Sequence, residues 1–289
     1  MHQLINAFTI DVEDYFQVSA LAAGVPRNTW DKRELRVERN TERLLSMLDE
    51  HRVRGTFFVL GWVADRVPTL VKRIAAAGHE VACHGYSHEL IYRQTPEVFR
   101  EETVRAKRLL EDAIGAPVIG YRAASFSITQ QSRWALDILA ELDFLYDSSI
   151  FPIQHDRYGI PGASIDPGKI EAPSGRALVE FPMSTAGLLG MRLPVSGGGY
   201  FRLLPYWVTR TGLRSINARG VPFTFYLHPW EIDAAQPRVP GIGMLSRIRH
   251  YTNLSRCEAR LRRVLTEFRF STMRDVLTTR GLLRAGSDA

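Results

Sequence analysis

The first apolar segment of the chain alternates between apolar and polar positions. In residues 7–13 the apolar positions 8, 10 and 12 point one way, and Thr9, Asp11 and Glu13 point the other way. This alternation predicts a strand with an acidic end. Similar apolar runs predict further strands at residues 55–60, 80–84, 118–121, 144–146 and 221–227.

Helical periodicity separates these strands. Residues 41–50 place their leucines on one face, and Pro68 and Gly78 are typical of the start and the end of a helix. Further helices are predicted at residues 68–77, 95–114, 129–142, 255–268 and 274–279. The alternation of strand and helix predicts an α/β fold, a parallel sheet or barrel, with the functional residues at the carboxyl ends of the strands.

The pattern changes over residues 151–200, which are rich in glycine and proline and have little helical period. We interpret this stretch as a loop-rich insertion with short strands over the site. The glycines at 197–199 do not follow the spacing of a phosphate-binding loop, so we expect no nucleotide site there. Because no repeat or linker is visible, we expect one domain over residues 1–289, with motifs in 9–229 and a C-terminal helical extension in 230–289.

Five polar residues lie at or just after the carboxyl ends of predicted strands. They are Asp11, His84, Arg122, Asp147 and His228. The carboxyl ends of parallel strands meet at one edge of a sheet or one end of a barrel. We therefore expect these five side chains to line a single site.

His84 and His88 are four residues apart and can bind one divalent cation together with a carboxylate. Two histidines and one carboxylate leave a coordination position open, which is typical of a catalytic metal site. The carboxylate would come from the acidic strand end Asp11-Val-Glu13-Asp14.

Charge and cysteine content change this picture little. The formal net charge of +6 indicates either affinity for polyanions or a solvated basic surface. The arginines in 255–268 have no aromatic residues interleaved with them, so we expect no nucleic-acid partner. Cys83 and Cys257 are too few for a disulfide scaffold, and we interpret Cys83 as a small buried residue rather than a ligand.

The sequence predicts no membrane span and no signal peptide. The apolar run at 57–64 is too short to cross a bilayer, and the N-terminus lacks a basic segment followed by an apolar one. We therefore expect a cytoplasmic protein. Its oligomeric state stays open.

The motifs occur in a specific order along the chain. They read Thr9-Ile-Asp11-Val-Glu13-Asp14, His84-Gly-Tyr-Ser-His88, Gly120-Tyr-Arg122-Ala-Ala-Ser125-Phe126, Tyr146-Asp147-Ser-Ser and Tyr226-Leu-His228-Pro229. This set resembles the polysaccharide deacetylases with a NodB-homology domain, carbohydrate esterase family four. Residues 11–16, 199–202 and 228–231 resemble the branch associated with bacterial exopolysaccharide gene clusters and exosortase systems.

The resemblance implies a distorted, seven-stranded (β/α) barrel and a metal-dependent hydrolase. Its substrate would be an N-acetylated saccharide of an exopolysaccharide or its precursor, from which it removes N-acetyl groups. The metal would be Zn²⁺, with Co²⁺ or Ni²⁺ as alternatives, and would polarise the acetamide and activate water. Its ligands would be His84, His88 and either Glu13 or Asp14, because Val12 replaces the second aspartate of the family motif. Strand alternation puts Glu13 on the face of Asp11 and favours it, whereas Asp14 would reach the metal if the chain already turns at Val12.

The resemblance also implies roles for the remaining residues. Asp11 would be the general base and His228 the general acid. Arg122 would hold Asp11 ionised through a charge-assisted bond, and Asp147 would orient His228 or another site residue. A backbone N–H near Ser125 would help to stabilise the oxyanion.

Four residues are predicted to contact the substrate. Ser125 and Phe126 follow the arginine motif directly. Tyr86 and Trp230 either stack on a sugar ring or pack at the edge of the barrel. Two other functions fit part of the pattern: an allantoinase-like hydrolase of another non-peptide C–N bond, and a non-catalytic carbohydrate-binding barrel.

Overall fold

The computed structural model of the chain describes residues 4–155, 158–188 and 191–284. Its strands are β1 (Ile5–Val12), β2 (Thr56–Val59), β3 (Glu80–Cys83), β4 (Gly120–Tyr121), β5 (Tyr146–Asp147), β6 (Gly168–Glu171), β7 (Ala177–Glu180), β8 (Thr185–Leu188), β9 (Met191–Pro194), β10 (Thr224–Leu227) and β11 (Arg269–Ser271). Its helices are α1 (Val37–Glu50), α2 (Gly61–Arg66), α3 (Pro68–Ala76), α4 (Pro96–Ile114), α5 (Trp134–Glu141), α6 (Gly198–Leu203), α7 (Tyr206–Ala218), α8 (Met244–Tyr251), α9 (Leu254–Glu267) and α10 (Met273–Thr279).

One curled sheet forms the centre of the molecule. Its strand order is β10-β1-β2-β3-β4-β5-β7-β6, and β11 pairs with β1. The strands from β10 to β7 are parallel, and β6 is an antiparallel edge. These seven parallel strands, with helices between them, confirm the predicted distorted (β/α) barrel.

The two faces of β1 have different surroundings. Phe8 and Ile10 belong to the large cluster under the helices, whereas Ala7 packs inside the barrel with Phe58 of β2 and Ala82 of β3. Thr9 and Asp11 are on the same side of β1 as Ala7. The predicted alternation therefore directs the acidic residues into the barrel.

Helix α10 closes the amino end of the barrel. Met273 N donates to Thr56 Oγ1 at 2.7 Å, and Arg274 N donates to Glu80 Oε2 at 3.1 Å. Thr56 and Glu80 are the first residues of β2 and β3. Because this end is occupied, the opposite, carboxyl end is the one that remains for a functional site.

The insertion contains β6 to β9 and α6, which agrees with the prediction of loops and short strands over residues 151–200. The predicted helix over 129–142 is interrupted, because a 3-10 turn at Gln130–Ser132 with reciprocal capping precedes α5. Helices α2, α6, α7 and α8 were not predicted. Helices α7 and α8 both expose apolar side chains to solvent, Trp207 in α7 and Met244, Leu245 and Ile248 in α8.

Cys83 faces the helices and belongs to the large core cluster. Burial raises the pKa of its thiol to about 12, so the thiol stays protonated. Among the described residues, none of the helices has both the length and the apolar character that crossing a bilayer requires. Strands from both halves of the chain join one sheet. The single domain stays a prediction.

Candidate active site

Three potential metal ligands converge at the carboxyl end of the barrel. Ligand atoms of Glu13, His84 and His88 all lie within 4.8 Å of one another, and the three residues are buried. Glu13 Oε2 is 2.6 Å from His88 Nε2. Within the described ranges, this is the only such group of His, Cys, Asp and Glu side chains.

A tight turn after β3 brings the two imidazoles together. His84 follows the strand, and its N–H donates to Val59 O at 3.1 Å. Gly85 has a φ of 72° and His88 a φ of 54°, so the backbone reverses within the motif. The left-handed conformation costs a non-glycine residue about 1–2 kcal/mol. Strain of this kind is typical of functional sites.

The main chain orients the ring of His84. Nδ1 is 2.8 Å from the carbonyl oxygen of Arg122, which can only accept a hydrogen bond. Nδ1 therefore carries the proton, and Nε2 is free to bind a metal. Burial lowers the pKa of His84 to about 4, so the ring is neutral at pH 7, as metal binding requires.

Glu13 remains ionised although it is buried. Burial by itself raises its pKa, but the neighbouring His88 outweighs this and holds the pKa at about 2. Trp230 Nε1 donates to Oε1 at 3.2 Å, while Oε2 has no aligned hydrogen-bond partner among the described residues. An unsatisfied buried carboxylate oxygen beside two imidazoles fits a divalent cation such as Zn²⁺.

Asp14 points away from the histidines. Its carboxylate accepts hydrogen bonds from the backbone N–H groups of Tyr15, Arg36 and Val37 at 2.6–2.8 Å. Burial raises its pKa to about 6. Of the two acids left open by the sequence, the structure brings Glu13 to the histidines and uses Asp14 to cap two backbone segments.

Asp11 forms a buried ion pair with Arg122. Asp11 Oδ1 is 2.7 Å from Arg122 Nη1, and the same nitrogen donates to Thr9 Oγ1 at 2.8 Å. Arg122 Nε donates to the carbonyl of Ser148 at 3.2 Å. The guanidinium lies 4.1 Å from the ring centroid of Phe58. These contacts fix one carboxylate oxygen of Asp11 and leave Oδ2 directed elsewhere.

His228 faces the carboxylates of Asp11 in β1 and of Glu13, which follows β1. Its Nε2 is 3.9 Å from Asp11 Oδ2 and 3.6 Å from Glu13 Oε1. Its Nδ1 is 2.7 Å from Glu231 Oε1. Burial lowers the pKa of His228, but the bond to Glu231 and the nearby carboxylates outweigh this and raise it to about 9.

Arg202 anchors Glu231. Its Nε is 2.6 Å from Glu231 Oε2, and both side chains are buried. Arg202 also donates to the carbonyls of residues 249, 250 and 252 at the end of α8, each at 2.9 Å. Burial raises the pKa of Glu231, but Arg202 outweighs it and the pKa is about 2. Glu231 is therefore ionised at neutral pH.

Glu231, and not Asp147, lies beside Nδ1 of His228. The predicted role of Asp147 in orienting His228 or another site residue stays a prediction. Asp147 accepts from Ser149 Oγ at 2.6 Å and from Ser149 N at 3.1 Å. Ser149 Oγ in turn accepts from Ala123 N at 2.7 Å, so Asp147 supports the arginine loop.

Glu231 and Arg202 were not predicted as site residues, although they lie in residues 228–231 and 199–202, which carry the resemblance to the exopolysaccharide branch. The spacing of three between His228 and Glu231 matches a capping box, which was the available signal. Nothing in the sequence links Arg202 to Glu231, since the two are brought together by the packing of α6.

The predicted substrate-contact residues differ in position. Ser125 and Phe126 have φ values of 51° and 54° and line the cavity over the metal-ligand cluster. Tyr86 donates to Asp65 at 2.8 Å and lies under the guanidinium of Arg105, which is packing at the barrel edge.

Trp230 is buried and stacks on two imidazoles. Its ring centroid is 5.0 Å from that of His228 and 4.3 Å from that of His250. With its hydrogen bond to Glu13, Trp230 holds the site in place from behind.

A cavity of about 930 Å³ covers the site. Its volume is at the upper end of the range for small-molecule sites. Asp11, Glu13, His84, His88 and His228 all line it. Aromatic side chains also line it: Phe16, Trp30, Phe126, Tyr158, Tyr200 and Tyr226.

Two family models match this chain. Residues 28–143 match the model "Polysaccharide deacetylase". Over these residues the chain is similar to the polysaccharide deacetylases. Residues 148–278 match a second model, "Domain of unknown function (DUF3473)". The first match contains His84, His88 and Arg122, and the second contains His228 and Glu231.

Two curated proteins that are similar to this chain carry deacetylase names. The chain is 32% identical over 98 residues to a peptidoglycan-N-acetylglucosamine deacetylase of Bacillus cereus, covering 34% of this chain and 36% of that protein. It is 34% identical over 100 residues to a chitooligosaccharide deacetylase of Bradyrhizobium sp., covering 35% and 43%. The matches therefore span less than half of either relative.

Solved structures share the fold over nearly the whole chain. A structure described as a polysaccharide deacetylase from Mycobacterium smegmatis superposes with a TM-score of 0.63 at 23% identity, covering 94% of this chain and 88% of that one. Puue allantoinase gives a TM-score of 0.62 at 15% identity, covering 96% and 91%. At these identities the likeness concerns the fold alone.

Proposed function

We propose that the protein is a metal-dependent N-deacetylase. Its substrate is an N-acetylated saccharide of a bacterial exopolysaccharide or of its precursor. The observation that carries the proposal is the convergence of Glu13, His84 and His88 beside Asp11 and His228. A ligand set with an open position next to an acid and a base is what hydrolysis of an amide requires.

Glu13, His84 and His88 would hold the cation. Nitrogen and carboxylate donors favour Zn²⁺, and Co²⁺ or Ni²⁺ suit the same donors. When bound, the metal supplies Lewis acidity toward the acetamide carbonyl and toward water. Asp14 has a structural role in this proposal, because its oxygens already accept backbone hydrogen bonds.

Asp11 acts as the general base and takes a proton from the attacking water. Arg122 holds Oδ1 of Asp11 through a buried, charge-assisted hydrogen bond. Oδ2 is the oxygen that faces His228, so it is the one available to the water. The C–N bond of the acetamide breaks, and acetate leaves with the oxygen of that water.

His228 acts as the general acid and gives a proton to the leaving nitrogen. Glu231 binds Nδ1, so Nε2 is the nitrogen that lines the cavity and donates. The pKa of His228, raised to about 9, keeps the ring protonated at neutral pH. A proton donor with a pKa above the working pH is charged before each turnover.

The walls of the cavity support a saccharide as the substrate class. Phe126 and Tyr226 lie edge to face at 5.1 Å, and Tyr158 and Tyr200 lie beside them. Aromatic rings offer apolar faces to sugar rings. The names of the relatives, chitooligosaccharide and peptidoglycan-N-acetylglucosamine deacetylase, point to the same substrate class.

Acetate release from N-acetylated chitooligosaccharides and exopolysaccharide fragments tests this function. Zinc-loaded protein should release acetate, and Asp11→Asn should nearly abolish release while it keeps its metal. Hydrolysis of allantoin instead would favour the allantoinase-like function. Tight sugar binding without acetate release would favour a non-catalytic barrel.

A further inference from the structure

The large apolar side chains that are exposed concentrate in one stretch of the chain, at the end of α6 and in α7 and α8. Among the described residues seven such side chains are strongly exposed, and five of them fall between residues 203 and 248: Leu203, Trp207, Met244, Leu245 and Ile248. Met244 is 78% exposed and Leu245 is 60% exposed, both in the first turn of α8. Neighbouring apolar side chains left in water mark a surface that contacts a partner.

Helix α8 is fixed firmly in the fold. Its inner residues, His250 and Tyr251, are buried, and His250 stacks on Trp230. Tyr251 Oη accepts from Val239 N at 2.9 Å. Arg202 binds the carbonyls at the end of the helix. The outward side chains are therefore held on a rigid platform, and their exposure is built into the fold.

Positive charge accompanies these apolar side chains. Residues 181–257 contain nine arginines, no lysine and only two acids, a formal +7 against +6 for the whole chain. The two acids, Glu231 and Asp233, are buried and paired with Arg202 and Arg36. The segment therefore presents no acid of its own to solvent.

The arginines of α8 are free to meet a partner. Arg247 and Arg249 are exposed, and neither has an ion-pair partner within the residues that the structure covers. Arg210 and Arg214, by contrast, pair with Glu267. We define the docking face as Leu203, Met244, Leu245, Arg247, Ile248 and Arg249.

The docking face adjoins the cavity. Leu203 and Arg249 line the same cavity as His84, His88 and His228. Helix α8 therefore forms part of the cavity wall with its inner edge, while its outer surface carries the apolar side chains.

We propose that the docking face binds the surface of a lipid bilayer with anionic headgroups. Apolar side chains interspersed with arginines on one helical surface match the two components of such a surface, acyl chains and negative headgroups. A second copy of the chain fits less well, because a two-fold contact would bring the same arginine-bearing patch of both copies, with Arg247 and Arg249, into one interface. Nothing acidic in the segment would offset that repulsion.

Binding there brings the cavity to the headgroup layer. A saccharide attached to a membrane lipid can then enter the cavity from the bilayer side. Contact with the bilayer does not help a saccharide that is free in solution to reach the cavity. The substrate class inferred is a lipid-linked N-acetylated saccharide, and this second part rests on the proposed function. The bilayer contact itself does not.

Sedimentation with vesicles tests the contact. The full chain should bind vesicles of phosphatidylcholine with roughly one third phosphatidylglycerol and should bind phosphatidylcholine alone far less. Met244→Ser/Leu245→Ser/Ile248→Ser should weaken binding by about tenfold or more, and added salt should weaken it in the wild type. Leu35→Ser/Val98→Ser, which removes exposed apolar side chains elsewhere, should bind like the wild type.

Equal binding by the triple variant, or no binding to the anionic vesicles at low salt, would overturn the proposal. The proposal would also be overturned if light scattering showed a wild-type dimer that the triple variant does not form and the wild type did not bind vesicles. The triple variant should keep wild-type acetate release from a soluble oligosaccharide. Vesicle binding without acetate release by any form would refute the proposed function and leave the bilayer contact standing.

Discussion

Arg122 and Asp11 form an ion pair inside the barrel, with 2.7 Å between Nη1 and Oδ1. The two residues are 111 positions apart in the sequence and come from different strand ends. Both side chains are almost completely buried. The pair joins the strand that carries the acids to the loop whose carbonyl oxygen orients His84.

Replacing Arg122 by Met should destabilise the fold strongly. The substitution leaves the Asp11 carboxylate buried without its cation, which typically costs about 3–5 kcal/mol. Urea unfolding followed by circular dichroism measures the free energy of unfolding. The double variant Asp11→Asn/Arg122→Met should recover part of the loss. A single-variant loss below about 1 kcal/mol would mean that the pair contributes little.

Glu231→Gln should lower turnover and spare metal binding. Without the carboxylate, His228 loses the partner that fixes Nδ1, and proton donation typically contributes about 100-fold or more. Asp147→Asn is the matched control, since Asp147 contacts Ser149 and not His228. Turnover number and zinc content are measured for both variants. A larger turnover loss in Asp147→Asn would return the orienting role to that residue.

The ion pair between Asp233 and Arg36 should give a pH-dependent contribution to stability. Burial raises the pKa of Asp233, but the hydrogen bond from Arg36 outweighs it and lowers the pKa from 3.8 to about 2. The contribution is therefore complete above the unfolded pKa and is lost as the pH falls through the folded one.

The free energy of unfolding of wild type minus that of Asp233→Asn isolates this contribution. The difference should be constant from neutral pH down to roughly pH 5 and should shrink between about pH 4 and pH 2. A difference that does not change over this range would show that Asp233 has an ordinary pKa in the folded protein.

The barrel was predictable because its first strand alternates cleanly and the later strands are short apolar runs separated by helical segments. Positions 8, 10 and 12 pack under the helices, while Asp11 points into the barrel, as the period of two requires. The same period of two, continued one residue beyond β1, put Glu13 on the face of Asp11 and so predicted its place beside the histidines. Asp14 could not be assigned from the sequence, because its partners are backbone groups at residues 36 and 37.

The other half of the site depends on contacts that have no local pattern. Glu231 was visible only as a capping residue, and its anchor Arg202 comes from an insertion with little periodicity. Asp147 follows a strand like the other polar residues, yet it binds a serine two positions away. Position at a strand end thus predicts the neighbourhood of a side chain but not its partner.

The proposal that Glu13, His84 and His88 form a catalytic metal site is tested most directly by zinc titration of metal-free protein, combined with acetate release from an N-acetylated oligosaccharide. Wild type should bind about one zinc per chain and regain activity that a chelator removes. Asp14→Asn should bind zinc at the same ratio with lower stability, whereas Glu13→Gln should lose both tight binding and acetate release. Chelator-insensitive release, or normal zinc binding by Glu13→Gln together with its loss in Asp14→Asn, would contradict the account.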